Sequence, residues 1–481
     1  MSHPRDEGGA APDPAAHEHP GGTHADGPEP DGSGRWSGEE LSLLIGSVAL
    51  ITLTAFEALA TTTVMPGVVE DLDAQSWFSL ASGAALAAQL LAVVVAGGLA
   101  DARGAGPVLV GGLGLFVVGL ALCASAPHVA VFVAGRLIQG LGGGLIIVPL
   151  YVLIGAVSTD AHRPTFFAAF SLAWVLPSLV GPAIAGIVAQ TLGWRWVFGA
   201  VPVLALLASA VLVPRLRGLP HTSRPVPRRL ARLGAWALAG GIGLVLLQLA
   251  GALGGVSLGA FTLIGCVLVV LALPRLVPRG TWRLARGIPA VVATRFLALG
   301  ALQGATAFLP LVLQRVHHWS EAAAALAVTI GSVSWSLGSV AQARIVGRRR
   351  RERLPLLGAV LMTAGIAPVA FLVVRDAPVW PALLGWFVAG FGIGMLHSTL
   401  SDLTLGMSQR SEHGKVSSWL QVADASGPAL ELALVSVALA VWTPALVGGA
   451  ATGGFAYLPA SLLALVVGAG AIVAATRIPR G

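Results

Sequence analysis

Apolar residues fall along this chain in blocks of about 20, the length a helix needs to cross the hydrocarbon core of a bilayer. Short polar or basic stretches separate the blocks. Fourteen runs stand out: 41–66, 77–100, 108–126, 130–155, 166–190, 197–214, 233–252, 257–274, 288–313, 321–346, 355–374, 379–404, 416–442 and 455–476. The pattern predicts an all-α polytopic membrane protein, and an even number of spans puts both ends on one side. Residues 1–40 break the pattern: rich in Pro, Gly, His and acid, they have too little apolar surface to offset the entropy of ordering them. They read as a disordered tail. They also lack the basic start, apolar stretch and small-residue cleavage site of a signal peptide, so the first span is expected to be retained.

Composition agrees with the spans: 56% of residues are hydrophobic, 11% are charged and the mean hydropathy is +0.83. An ordinary soluble domain is about a quarter charged. The tail holds nine of the 22 acidic residues and two of the 29 Lys/Arg, leaving 27 basic against 13 acidic in the rest. So basic a chain could point to nucleic acid, but the basic residues sit mainly in short loops between apolar runs, the pattern of membrane topology. Nucleic-acid binding is set aside. Cys123 and Cys266 both lie inside apolar runs, where a free Cys acts as a small hydrophobe, so a disulfide framework or Cys-based metal site is not expected.

Loop charge sets the orientation. With the N-terminus cytoplasmic, the loops on that side and the C-terminal RIPRG hold 21 basic residues, against three (Arg195, Arg315, Arg375) in the outer loops. Three more, Arg136, Arg295 and Arg344, lie within spans. Trp77, Trp194, Trp196, Trp319, Trp380 and Trp442 fall at the predicted outer ends, as an interfacial aromatic belt would place them.

The two halves echo each other. Span 4 reads GRLIQGLGGG from Gly135 and span 12 reads GWFVAGFGIG from Gly385, aligning four glycines at an offset of 250; Gly181-Pro182 and Gly427-Pro428 align at 246. Transporter folds built from repeats show such symmetry. The predicted organisation is a tail (1–40), a six-helix half (41–214), basic linkers around an extra helix pair (215–287), a second six-helix half (288–476) and a short cytoplasmic end (477–481). Pro182 and Pro428 cannot donate to the carbonyls four residues back, which loosens both helices at matching places.

With these motifs the sequence resembles the major facilitator superfamily, in its fourteen-span drug:proton antiporter branch. The interval from Glu57 to Pro66 matches the branch's acid-to-proline interval in span 1, with Glu where Asp is usual. In GGLADARGAGP, Gly97, Asp101 and Gly104 match the superfamily's loop signature, with Arg103 the remaining basic residue; Ala102, Ala105 and Gly106 replace basic ones. Arg136, Gln139 and Gly140 resemble its Arg-x-x-Gln-Gly element, and Gly181, Pro182 and Gly186 the element associated with antiporters. The resemblance implies two six-helix halves plus two additional helices, proton coupling and export.

Outside the tail, Glu57, Asp424 and Glu431 are the acids well inside spans. A charge at membrane depth costs at least ~2.5 kcal/mol, so such carboxylates are functional candidates. Glu57 lies about 13 Å and Arg136 about 9 Å from the outer ends of their spans, at 1.5 Å per residue. If their helices are neighbours, as the resemblance implies, the pair can load and unload a proton, with Glu57 the principal site. Asp424 and Glu431 share a helix face about 10 Å apart and form a second candidate proton or cationic-substrate site. The alternative for each acid is a packing role. Arg295 and Arg344 are expected to snorkel to the cytoplasmic interface; His397 is a candidate proton relay, with a packed histidine the favoured reading. Gln89, Gln139, Trp174, Gln303, Trp335 and Gln421 are candidates to line a central cavity. A flexible, uncommitted tail is favoured over weak metal binding by its histidines.

No Walker spacing accompanies the chain's single lysine, Lys415, which argues against ATP-driven transport. No nucleophile–base pair or metal cluster suggests an enzyme, and no cofactor, nucleic acid or obligate protein partner is expected. The expected function is export of drugs or other amphipathic small molecules in exchange for protons, by alternating access across a bacterial cytoplasmic membrane. Two alternatives are a proton-coupled transporter of one specific metabolite and, from another class, a non-transporting membrane receptor or scaffold.

Overall fold

The computed structural model describes residues 37–157, 162–216, 225–345, 352–409, 412–447 and 454–478. The tail expectation for residues 1–36 therefore lies outside the described residues. Among those described, every regular element is helical, and fourteen helices are long and apolar enough to cross a membrane. The first six are α1 (Gly38–Asp71), α2 (Phe78–Arg103), α3 (Ala105–Ala124), α4 (Val129–Val157), α5 (Arg163–Leu192) and α6 (Trp194–Leu216). Next come α7 (Arg228–Leu253) and α8 (Gly255–Leu276). The last six are α9 (Ile288–Arg315), α10 (Glu321–Ala343), α11 (Leu354–Ile366), α12 (Trp380–Gly406), α13 (His413–Val447) and α14 (Leu458–Ala475).

Local chemistry sets several boundaries. Gly104 takes φ 91° and Gly193 takes φ 92°, a region that costs other residues about 1–2 kcal/mol, so α2 turns into α3 and α5 into α6 with almost no loop. The Gly104 amide still donates to the Ala100 carbonyl. The prolines do not stop their helices: α1 runs past Pro66 to Asp71, and α5 and α13 run through Pro182 and Pro428. Neighbouring helices stabilise such positions inside a bundle. Span 11 departs from expectation, since its α-helix ends at Ile366 and continues as a 3-10 stretch over Ala367–Val373.

The same packing scheme recurs eight helices later. In the first six, α4 packs on α2 and α3, α1 on α5 and α6, and α3 on α6. In the last six, α12 packs on α10 and α11, α9 on α13 and α14, and α11 on α14. The glycines at an offset of 250 explain the correspondence atom by atom. A Cβ on Gly135 or Gly142 would strike α3 at Gly119 or Phe116, and one on Gly385 or Gly392 would strike α11 at Gly365 or Gly358. Likewise Gly140 and Gly144 abut Ala85 and Ala92 of α2, while Gly390 and Gly394 abut Gly331 and Trp335 of α10. Removing the Cβ lets the backbones approach closely, the main source of helix association where the solvent is itself apolar.

The two sets join through α5 with α10 and α2 with α13, contacts that interchange under the same eight-helix shift, and through α1 with α9. At the ends that carry Asp71 and Arg315, Gly186 of α5 packs on Ala322 and Ala325 of α10, and Phe78 of α2 meets Phe308 of α9 edge-on at 5.1 Å. Arg315 Nη2 stands 3.1 Å from Glu70 Oε2, tying α9 to α1. The added helix α7 lies against both α2 and α13. Gln248, fully buried, donates from Nε2 to the Ala429 carbonyl of α13 at 3.2 Å, and Ser436 Oγ donates to the Gln248 carbonyl at 2.9 Å. Toward α2, the neighbours of α7 include Gly83, Ala87 and Gly98.

One member of the expected aromatic belt is covered by its neighbours. Trp194 is 7% exposed and packs edge-on against Phe132 and Phe198 at 5.7 and 6.1 Å, with its indole N–H donating to Asp71 Oδ2. Trp196 and Trp380 remain exposed.

Candidate functional site

Glu57 is positioned by α1 and Arg136 by α4. Both are buried, and Arg136 Nη1 donates to Glu57 Oε1 at 2.5 Å. Thr61, one turn beyond Glu57, donates its hydroxyl to the same oxygen at 2.7 Å, and Gln139, three residues after Arg136, accepts from Nη1 through Oε1. The i, i+4 and i, i+3 spacings place both helpers on the face of the residue they assist. A charge-assisted hydrogen bond here pairs two buried charges, each of which alone would be costly. Arg136 Nε, also buried, has no hydrogen-bond partner among the described residues.

A second buried pair lies among the last six helices. Arg295 of α9 forks onto Asp424 of α13, with Nε 2.5 Å from Oδ1 and Nη2 2.6 Å from Oδ2. Its third arm, Nη1, donates to Ser401 Oγ of α12 at 2.6 Å. This corrects the expectation that Arg295 snorkels: it is 4% exposed, and a bidentate guanidinium–carboxylate contact offers it more than a stretched path to the interface. Arg344, by contrast, is exposed at the end of α10. His397 also differs from a merely packed histidine. Its Nε2 lies 3.9 Å from Asp424 Oδ2, and its ring meets Trp335 of α10 at 5.5 Å.

Glu431 faces α9 as Asp424 does, two turns further along α13. It is 2% exposed, and its Oε1 has no hydrogen-bond partner among the described residues. Gly304 makes room for it: a Cβ there would lie 2.8 Å from Glu431 Cγ and 3.0 Å from Oε1.

The remaining sequence candidates are not gathered into one site. Gln139 joins the Glu57–Arg136 pair and Trp335 joins His397. Gln89, Gln303 and Gln421 are half-buried, and Trp174 is exposed on α5. Two small pockets lie against α9 on the side of Phe308, and none of these six candidates lines them. Gly97 sits opposite Val148 of α4, and Asp101 and Arg103 are exposed at the end of α2. Gly181 rests on Phe56, Gly186 on α10, and Gly427 on the Phe296 backbone of α9. The sequence reading missed Arg295 and His397 as members of the Asp424 cluster. A signal existed, because a buried Asp424 needs a cation and only Arg295 and Arg344 were present within the spans of that half.

Residues 46–432 match the family model described as Major Facilitator Superfamily. The chain belongs to that superfamily. It is therefore a multi-pass membrane transporter of small molecules, not an enzyme. Among its superfamily relatives, a probable multidrug-efflux transporter of Mycobacterium tuberculosis is 28% identical over 387 residues, covering 74% of this chain and 78% of the relative. The multidrug transporter protein MdtP of Bacillus subtilis is 26% identical over 393 residues, with 78% and 71% covered. A dehydrocurvularin exporter of Alternaria cinerariae is 25% identical over 408 residues, with 78% and 68% covered. The superfamily fold is also that of a peptide transporter POT crystallised with sulfate, at TM-score 0.63 and 16% identity over 90% of this chain and 94% of that one.

Proposed function

We propose that this chain exports drugs or related amphipathic small molecules in exchange for protons, by alternating access between its first and last six helices. The observation that carries the reading is the buried Glu57–Arg136 pair, which bridges α1 and α4 at 2.5 Å. A proton delivered to Glu57 removes the charge that Arg136 neutralises and so frees the guanidinium; loss of the proton restores the pair. Each protonation state thus favours a different side-chain arrangement, the requirement for coupling an ion to a conformational equilibrium. Asp424 and Glu431 are proposed as further coupling groups on α13. The bias of basic residues toward the loops at the Arg103 end supports a cytoplasmic placement of both termini.

The multidrug-efflux relatives support a broad substrate range. The relative named as an exporter of one compound favours a second reading, export of a single defined metabolite. A panel of lipophilic cations, neutral antibiotics and small metabolites separates the two. Wild type and Glu57→Gln are reconstituted, an inside-acid gradient is imposed, and lumenal pH is followed as each compound is added. Proton release by wild type with several unrelated compounds, absent in Glu57→Gln, is expected; release with none of them, from protein shown to be folded, overturns the proposal.

A further inference from the structure

His397 sits where three other helices converge. Asp424 approaches it from α13 at 3.9 Å, Arg295 of α9 is held against that same carboxylate, and Trp335 of α10 meets its ring edge-on at 5.5 Å. On its own helix, Ser401 Oγ donates to the His397 carbonyl at 3.3 Å while accepting from Arg295. The side chain keeps 27% of its surface exposed, so its neighbours do not enclose it completely. It lies nine residues from the Gly406 end of α12, about 14 Å at 1.5 Å per residue.

One cation, Arg295, and one histidine that becomes a cation on protonation face a single carboxylate in this cluster. Arg295 already occupies both oxygens of Asp424, and an imidazolium at His397 would need the same negative charge. A single carboxylate neutralises one cation, so a proton on His397 and the full Arg295–Asp424 contact oppose each other. Imidazole is also the side chain whose ordinary titration falls between about pH 5 and 8, the range across which a cell maintains a proton gradient. Asp424 and Arg295 are the charged groups that face it, and α10 presents the neutral indole of Trp335.

We propose that His397 carries a transported proton, exchanging with Arg295 for the charge of Asp424. Water supplies the proton to the unprotonated ring nitrogen, the ring becomes imidazolium, Asp424 remains a carboxylate, and Arg295 withdraws toward Ser401. Return of Arg295 to Asp424 expels the proton to water at the Arg103 end. The inference rests on the proton-exchange reading above and deepens it, adding to Glu57 a second station nearer the Arg103 end.

The test uses the full-length protein in liposomes and any compound that wild type exchanges by substrate counterflow, which requires no proton gradient. His397→Gln is expected to retain counterflow within about twofold and to lose at least about tenfold of gradient-driven transport. Its counterflow rate should also vary less than that of wild type between about pH 5 and 8. Gradient-driven transport within about twofold of wild type overturns the inference. So does loss of counterflow in folded protein, since the residue would then serve substrate passage. Should His397→Gln fail to elute as wild type does, His397→Asn is judged by the same criteria. Counterflow without any gradient-driven transport in wild type overturns proton exchange itself and this inference with it. Gradient-driven transport that needs Glu57 but not His397 overturns this inference alone.

Discussion

Arg136 and Glu57, 79 residues apart in sequence, meet at 2.5 Å in a setting where their side chains are 5% and 7% exposed. Removing one partner leaves a buried charge without compensation, which costs about 3–5 kcal/mol, whereas replacing both by apolar groups is often neutral. Arg136→Met is therefore expected to lower the thermal unfolding midpoint in detergent, and Glu57→Leu/Arg136→Met to recover most of the loss. Absence of recovery would show that the pair does not act as a unit.

Arg295 grips Asp424 with two arms and Ser401 with a third. Lysine keeps the charge but not the planar fork. Arg295→Lys should thus lower the unfolding midpoint measurably, and Arg295→Met by more, because it leaves Asp424 alone. Equal stability of Arg295→Lys and wild type would mean that the charge suffices.

Gly304 accommodates Glu431 by lacking a Cβ. Gly304→Ala should cost about 1–3 kcal/mol through overpacking, and Gly304→Ala/Glu431→Ala should regain part of it. Unfolding midpoints of the single and double variants decide the matter, and additive losses would count against direct contact.

Gly186 of α5 and Ala325 of α10 approach so closely that a Cβ on the glycine would lie 2.8 Å from the alanine Cβ. Disulfide geometry places the two Cβ atoms about 3.8 Å apart, so a small adjustment permits a bridge. With Cys123 and Cys266 replaced, Gly186→Cys/Ala325→Cys should cross-link on mild oxidation and lose transport, and regain it on reduction. Transport by the fully cross-linked protein would mean that these helices need not separate.

The run lengths delimit the helices, and the glycine echo at an offset of 250 gives the packing scheme, because helix-contacting glycines report on backbone approach wherever they sit. Side-chain partnership across helices is a different matter. Hydropathy places Arg295 near a helix end but does not tell which neighbour its guanidinium meets, so a lone arginine there reads as snorkelling. His397 reads as packed for the same reason, since Trp335 and Asp424 stand 62 and 27 residues away. Trp194 fits a belt position by sequence, yet Phe132 and Phe198 close over it. Partnership depends on helix rotation and tilt, which one chain's periodicity leaves open.

The polar anchorage of α7 has a bearing on how such a protein grows. Gln248 and Ser436 fasten the inserted helix to α13, while its side toward α2 runs along glycine and alanine. If the two sets of six part along that side, the yielding seam lies between α2 and α7, where no buried hydrogen bond of Gln248 has to break. The added pair then travels as cargo of the last six helices, so that fourteen spans still move as two bodies.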